Sequence, residues 1–187
     1  MFLESNKLFF LKPDYSDANY YKQDKPCNFL VKNKKHILKL TNGKALDIGC
    51  GSCRNSIYLK DNFNMSIDAF DSEPISKTYC NDLGIISEIS NVNKYKYEKN
   101  HYDIILCFYI TQHIKPIDQE KLFLNIKQSL KKDGLLFLGL YYEYNGKPTY
   151  AINKDKIKSI IDMKLLDEGQ FEKANGSKKF IDLLYKN

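Results

Sequence analysis

The sequence predicts an α/β domain built on a doubly wound, mostly parallel sheet that ends in an antiparallel hairpin. Three observations predict it. Strand-like apolar runs alternate with helix-like amphipathic segments along most of the 187 residues, the pattern of a parallel sheet with helices on both faces. The run from Tyr102 to Tyr109 is almost continuously apolar, as suits a strand buried on both faces. Near the end, two strand-like runs flank Asn175-Gly176, a hairpin turn signal.

The elements follow in order. Residues 1–42 form an aromatic, polar leader, with Phe29, Leu30, Ile37 and Leu38 marking a helix between Asn28 and Leu40. Lys44 to Ile48 reads as a short buried strand, ended by Gly49-Cys50-Gly51, and Arg54 to Phe63 as a helix opening at that turn. Met65 to Phe70 is a second strand, Pro74 to Leu83 a helix, and Ile85 to Ile89 a third strand. After the fourth strand, Leu122, Phe123, Ile126 and Leu130 stand at helical spacing within Asp118 to Leu130. Lys131-Lys132-Asp133-Gly134 then reads as a helix terminus, cations followed by glycine. A fifth strand covers Leu135 to Tyr141, a helix Lys154 to Met163, and the last two strands Leu165 to Glu172 and Lys178 to Leu184. No repeat or linker divides the chain, so one domain is expected over 1–187, with 43–187 as the α/β core and 1–42 as leader, lid and first helix.

Composition narrows the function classes. Apolar residues are 43% and charged residues 28%, ordinary for a globular protein. No apolar run approaches the ~20 residues that a membrane span needs. The N-terminus lacks the basic-then-apolar order of a signal peptide, and the sequence reads as cytoplasmic. Net charge is +6, yet Arg54 is the one arginine. Nucleic-acid readers rely on arginine forks, so dispersed lysine argues for a solvated surface and against a nucleic-acid partner. The five cysteines are an odd number, and with a cytosolic reading no disulfide framework is expected.

The richest segment is Leu46-Asp47-Ile48-Gly49-Cys50-Gly51-Ser52-Cys53-Arg54-Asn55-Ser56. A strand ends in Gly-x-Gly and a helix begins at once, at the sheet edge where open parallel sheets bind ligands. Asp71 lies 20 residues after Gly51, at the end of the second strand, where a carboxylate can accept the hydroxyl protons of a ribose. A dinucleotide site would place glycine where Arg54 stands. Asp47, two residues before the first glycine, would repel a pyrophosphate and suits a ligand with positive charge near the turn. S-adenosyl-L-methionine, with its ammonium and sulfonium, fits.

Asp47-x-Gly49-x-Gly51, the acidic end of the second strand and the terminal hairpin resemble a Rossmann-like class I S-adenosylmethionine-dependent methyltransferase. The run Leu46 to Leu59, with Arg54-Asn55-Ser56, is similar to the tellurite-resistance methyltransferase subgroup, as are Asn19-Tyr20-Tyr21 and Lys25-Pro26-Cys27-Asn28-Phe29-Leu30 in the leader. The resemblance implies that Asp47, Gly49 and Gly51 hold the methionine end of the cofactor. It implies Asp71 on the ribose, Asn91 and Val92 at the adenine, and Phe108 and Tyr109 beside the sulfonium. Arg54 would touch the cofactor carboxylate or the acceptor. Family members commonly carry a third glycine where this chain has Cys53.

Methyl transfer needs positioning first and a base only for protonated acceptors. His113, in Thr111-Gln112-His113-Ile114 after the fourth strand, is the histidine placed for base work; its structural alternative is a loop residue. Tyr21, with Tyr20, is a candidate to close over the cofactor from the leader, and Tyr141, Tyr142 and Glu143 face the same edge. The expected acceptor is a small molecule or an inorganic species such as a metalloid oxyanion or a thiol. An RNA or protein methyltransferase and a non-catalytic module that binds S-adenosylmethionine remain the alternatives. Cys50-Gly51-Ser52-Cys53 also has the spacing of a redox pair opening a helix, but Asp47 opposes a thiolate there. With no second cysteine pair or spaced histidine pair, no metal site is expected.

Overall fold

A computed structural model describes residues 25–144, 147–148, 154–172 and 178–187. Strand β1 (Lys44–Ile48) lies between two parallel neighbours, β2 (Ser66–Asp71) and β4 (Tyr102–Phe108). β3 (Ser87–Ile89) extends the sheet beyond β2, and β5 (Leu130–Tyr144) pairs parallel to β4 on the other side. β7 (Lys164–Glu172) and β8 (Lys178–Lys186) form the expected hairpin, and β8 inserts antiparallel between β5 and β7. The eight-stranded sheet has the order β3-β2-β1-β4-β5-β8-β7, with the short β6 (Lys147–Pro148) paired to β5. The expected turn at Asn175-Gly176 lies outside the described residues.

The period of two in the strands divides the core into two layers. Leu46 and Ile48 of β1, Ile105 and Cys107 of β4, and Leu136 and Leu138 of β5 face one layer. There they meet Leu122, Phe123 and Ile126 of helix α5 (Pro116–Ser129) and Ile157 and Ile161 of α6 (Lys154–Ile161). Ala45, Ile104, Leu106 and Phe137 face the other layer. Against them pack Phe29 and Leu30 of α1 (Asn28–Lys32), Ile37 of α2 (Lys34–Ile37), and Leu59 and Phe63 of α3 (Arg54–Phe63). Each such fully buried aliphatic or aromatic side chain contributes about 1.5–3 kcal/mol. Helix α4 (Pro74–Asp82) starts with proline in its first turn, the position that tolerates it.

Two sequence expectations change. The single helix expected over Asn28 to Leu40 is α1, α2 and a 3-10 turn at Leu38–Leu40. Asn33 sits between the two helices, where its side-chain amide donates to Phe29 O and to the Asp167 carboxylate of β7. The second difference is where β5 begins. Leu130 is already extended, and the residues expected as a helix terminus are the irregular start of the strand. Asp133 N donates to Asn187 O and Asn187 N donates to Gly134 O, so the end of β8 captures this segment. Among the described residues no helix is long and apolar enough to cross a membrane.

Candidate active site

The parallel strands β1, β2, β3 and β4 deliver their carboxyl ends to one edge of the sheet, and among the described residues Asp47, Gly49, Gly51, Arg54, Asp71, Asn91, Val92, Phe108, Tyr109 and His113 lie at or just after those ends. Three residues of the turn after β1 have positive φ: Gly49 at +67°, Gly51 at +54° and Cys53 at +57°. The amides of Gly49 and Cys50 both donate to Phe70 O, at 2.9 and 3.1 Å, pinning the turn to β2. The two glycines do different work. A β-carbon on Gly49 would overlap Ile110 Cγ2, whereas one on Gly51 meets nothing within 4 Å. Gly49 therefore lets the β4 loop close on β1, and Gly51 leaves backbone open for a ligand.

Two carboxylates flank the turn. Asp47 is buried at 3% exposure and accepts a 2.6 Å hydrogen bond from Ser56 Oγ in the first turn of α3. Burial, reinforced by the charge of Asp71, pushes its carboxyl up to about 6, against the opposing pull of Ser56 and Arg54. A cation placed beside it would favour the ionised form. Asp71, half-buried at the end of β2, accepts from Gly51 N at 2.9 Å through Oδ2 and from Glu73 N at 2.9 Å through Oδ1. Each oxygen keeps acceptor capacity for a further donor such as a hydroxyl. The cradle that Gly51 leaves, edged by carboxylates, fits a nucleoside ligand with a cationic end.

The other expected residues take these places. Arg54 opens α3 and its guanidinium donates to Lys25 O at 3.2 Å. Asn91 is exposed after β3, with Oδ1 accepting from Asn93 N at 3.0 Å, and Val92 packs against the core layer. Phe108 closes β4 at 8% exposure. Tyr109 lies one residue past the strand with φ +58°, its ring 4.9 Å from that of Tyr141. His113 ends a 3-10 turn, its Nε2 3.0 Å from Gln112 Nε2, while Gln112 also donates to Tyr109 O. Tyr21 and Tyr20 lie outside the described residues, as do the side chains of Tyr142 and Glu143.

Three features escaped the sequence reading. Ser56 supports Asp47 from nine positions away, a role that the Arg54-Asn55-Ser56 run does not by itself reveal. Asp182 of β8, 2% exposed, accepts from Tyr109 Oη at 2.7 Å, and burial pushes its carboxyl up to about 6. The signal available for it was a lone acid in the apolar run Phe180-Ile181-Asp182-Leu183-Leu184. The third feature corrects the expectation of no disulfide framework. Cys53 is disulfide-bonded, to Cys80 of α4 and not to Cys50. The Cys50 sulfur lies beside this bond, completing a three-sulfur group.

Fold and site together define a doubly wound α/β domain with an open glycine turn between carboxylates, the design of a nucleoside-binding domain. The chain belongs to the methyltransferase-domain family, whose model matches residues 20–153. No curated protein matches the sequence significantly. Among solved structures, the chain is similar to the N-methyltransferase NodS from Bradyrhizobium japonicum WM9 bound to S-adenosyl-L-homocysteine. The TM-score is 0.69 at 13% identity, over 96% of this chain and 94% of that one. A 1,6-didemethyltoxoflavin-N1-methyltransferase from Burkholderia thailandensis, with 1,6-didemethyltoxoflavin and S-adenosylhomocysteine bound, gives 0.69 at 13% identity, over 92% and 80% of the two chains. TehB from Haemophilus influenzae gives 0.69 at 19% identity, over 86% of this chain and 62% of TehB.

Proposed function

We propose that the protein is an S-adenosylmethionine-dependent methyltransferase acting on a small-molecule or inorganic acceptor. The observation that carries this reading is the Gly51 backbone, open on one side and held between Asp71 and the Asp47-bearing end of β1, in a chain of the methyltransferase-domain family. Asp47 stabilises the ammonium of the methionine end, with Ser56 fixing the carboxylate in place. Asp71 accepts the ribose hydroxyls. Asn91 and Val92 border the adenine, and Phe108 and Tyr109 lie beside the sulfonium, where an aromatic face favours a cation by ~0.5–2 kcal/mol. Arg54 meets the cofactor carboxylate or the acceptor. The cofactor supplies an electrophilic methyl group.

The chain's own contribution is alignment, a source of about 7–11 kcal/mol when the geometry is held. His113 is the base for acceptors that carry a proton, and Tyr21 closes the leader over the site. Residues 1–42 serve as leader, lid and first helix, and 43–187 as the cofactor-binding core, of one domain. The acceptor class is supported by the small ligand held by the didemethyltoxoflavin enzyme, and a metalloid oxyanion by the TehB similarity and the Arg54-Asn55-Ser56 run. Calorimetry with S-adenosylmethionine tests the cofactor, and no heat at millimolar ligand refutes it. An acceptor screen over tellurite, selenite, thiols and phenols, read as S-adenosylhomocysteine formed, tests the reaction. Binding without product from any acceptor would leave a cofactor-binding module.

A further inference from the structure

The sulfur group beneath the cofactor turn is used by none of the chemistry above. Cys53 and Cys80 are fully buried and bonded, with Cα atoms 5.3 Å apart, inside the ordinary range for a disulfide. Ala69, Ile85, Ile57 and Ile67 wall them in. Cys50, 7% exposed, places its sulfur 3.7 Å from Cys80 Sγ and 3.5 Å from Ser76 Oγ.

The position of the bond matters more than its presence. Cys53 is the left-handed residue that caps α3, and Cys80 lies in α4, so the bond ties together the two helices that follow β1 and β2. The same α4 holds Gly51 directly: Ser76 Oγ donates to Gly51 O, while Asp71 accepts from Gly51 N. α4 thus holds the carbonyl end of the open glycine, and the end of β2 that leads into α4 holds its amide end. We propose that Cys53 and Cys80 form a reversible disulfide that latches this turn, so that the oxidised chain binds S-adenosyl ligands more tightly than the reduced chain. The ligand part rests on the function proposed above; the latch itself does not.

Oxidation balances with a low-molecular-weight disulfide as the oxidant. Two protein thiols and one external disulfide give the Cys53–Cys80 bond and two external thiols, two electrons and two protons passing outward. Three thiolates around a divalent cation would leave net negative charge in an apolar wall beside Asp47 and Asp71, whereas the disulfide is neutral. Burial and the charges of Asp47 and Asp71 also push the Cys50 thiol up, which keeps it from acting as a thiolate against its neighbours. Because binding free energies are reciprocal, a bound ligand must in turn protect the bond from reduction.

The full chain, equilibrated with a mixture of oxidised and reduced glutathione, is alkylated and its peptides are mapped. The expected result is a Cys53–Cys80 peptide with Cys27, Cys50 and Cys107 alkylated. Five alkylated cysteines, a disulfide through Cys50, or a stoichiometric metal in the purified chain overturns the proposal. Calorimetry with S-adenosylhomocysteine on the same chain before and after dithiothreitol should show at least fivefold weaker binding after reduction. Cys80→Ser should bind like the reduced chain and ignore dithiothreitol. Equal affinities in the two redox states overturn the latch. No heat in either state counts against the proposed function alone, and the latch is then decided by the mapping together with a fall in thermal midpoint on reduction.

Discussion

Replacing Gly49 and Gly51 separately by alanine should cost very different amounts, although both are turn glycines of one motif. At Gly49 two penalties add. The backbone is left-handed, φ +67°, which costs an alanine roughly 1–2 kcal/mol. The new methyl also overlaps Ile110 Cγ2. Ile110 is β-branched and packed against the core, so it has few rotamers to retreat into, and overpacking of this kind costs about 1–3 kcal/mol. The expected loss is therefore about 2–5 kcal/mol. At Gly51 the backbone is also left-handed, φ +54°, but its methyl meets nothing within 4 Å. Strain alone, about 1–2 kcal/mol, remains. Urea denaturation with unchanged slope measures both losses. Gly51→Ala should instead fill the open cradle and weaken S-adenosylhomocysteine binding at least tenfold. Equal stability losses for the two variants would refute the steric reading of Gly49. Wild-type ligand affinity in Gly51→Ala would remove that glycine from the binding surface.

Asp71→Ala should weaken S-adenosylmethionine binding at least tenfold by calorimetry, and it should also loosen the turn, since Gly51 N loses its acceptor; unchanged affinity excludes Asp71 as the ribose ligand. Asp47 in the folded chain is held near 6, above the ~3.9 of an unfolded aspartate. Its stabilising effect is thus fully present below about pH 4 and is lost as pH rises through 6, a term of roughly 3 kcal/mol by linkage. In Asp47→Asn the change in urea midpoint between pH 5 and pH 7 should therefore move toward greater relative stability at pH 7; an unaltered pH profile would show that Asp47 titrates normally. Tyr109→Phe removes the donor to Asp182, leaving a buried carboxylate short of a partner at a cost of about 1–3 kcal/mol. Because the Asp182 carboxyl is held near 6, that cost should be larger at pH 7 than at pH 5, and equal costs would detach Tyr109 from Asp182.

The parts of the chain that were legible in its sequence are those governed by neighbours in sequence. β1 and α3 begin and end where expected because the glycine turn between them forces both boundaries. The hairpin and the buried run of β4 follow from pattern alone. What could not be read depends on distant partners. The helix break at Asn33 answers to Asp167, on the last hairpin. β5 starts early because Asn187 supplies backbone partners to Asp133 and Gly134. At the candidate site, spacing brings Asp47 and Asp71 to one glycine turn, as the structure does, whereas the contacts of Ser56 with Asp47 and of Cys80 with Cys53 cross between elements, where spacing says nothing. Asp182 meets Tyr109 from a separation of 73 residues, beyond any local rule.

The insertion of β8 between β5 and β7 orders the birth of the sheet. Among the described strands β7 pairs with β8 alone, so on a growing chain it emerges before the strand it needs. Until β8 arrives, β5 presents an open edge and β7 has no place on the sheet. An unfilled edge of this kind is a template for pairing with another chain, and the interval invites intermolecular association. Slow synthesis through 164–186 would lengthen that interval. A chaperone that recognises extended apolar strands would find its substrate there, at the half of the sheet opposite the glycine turn of β1.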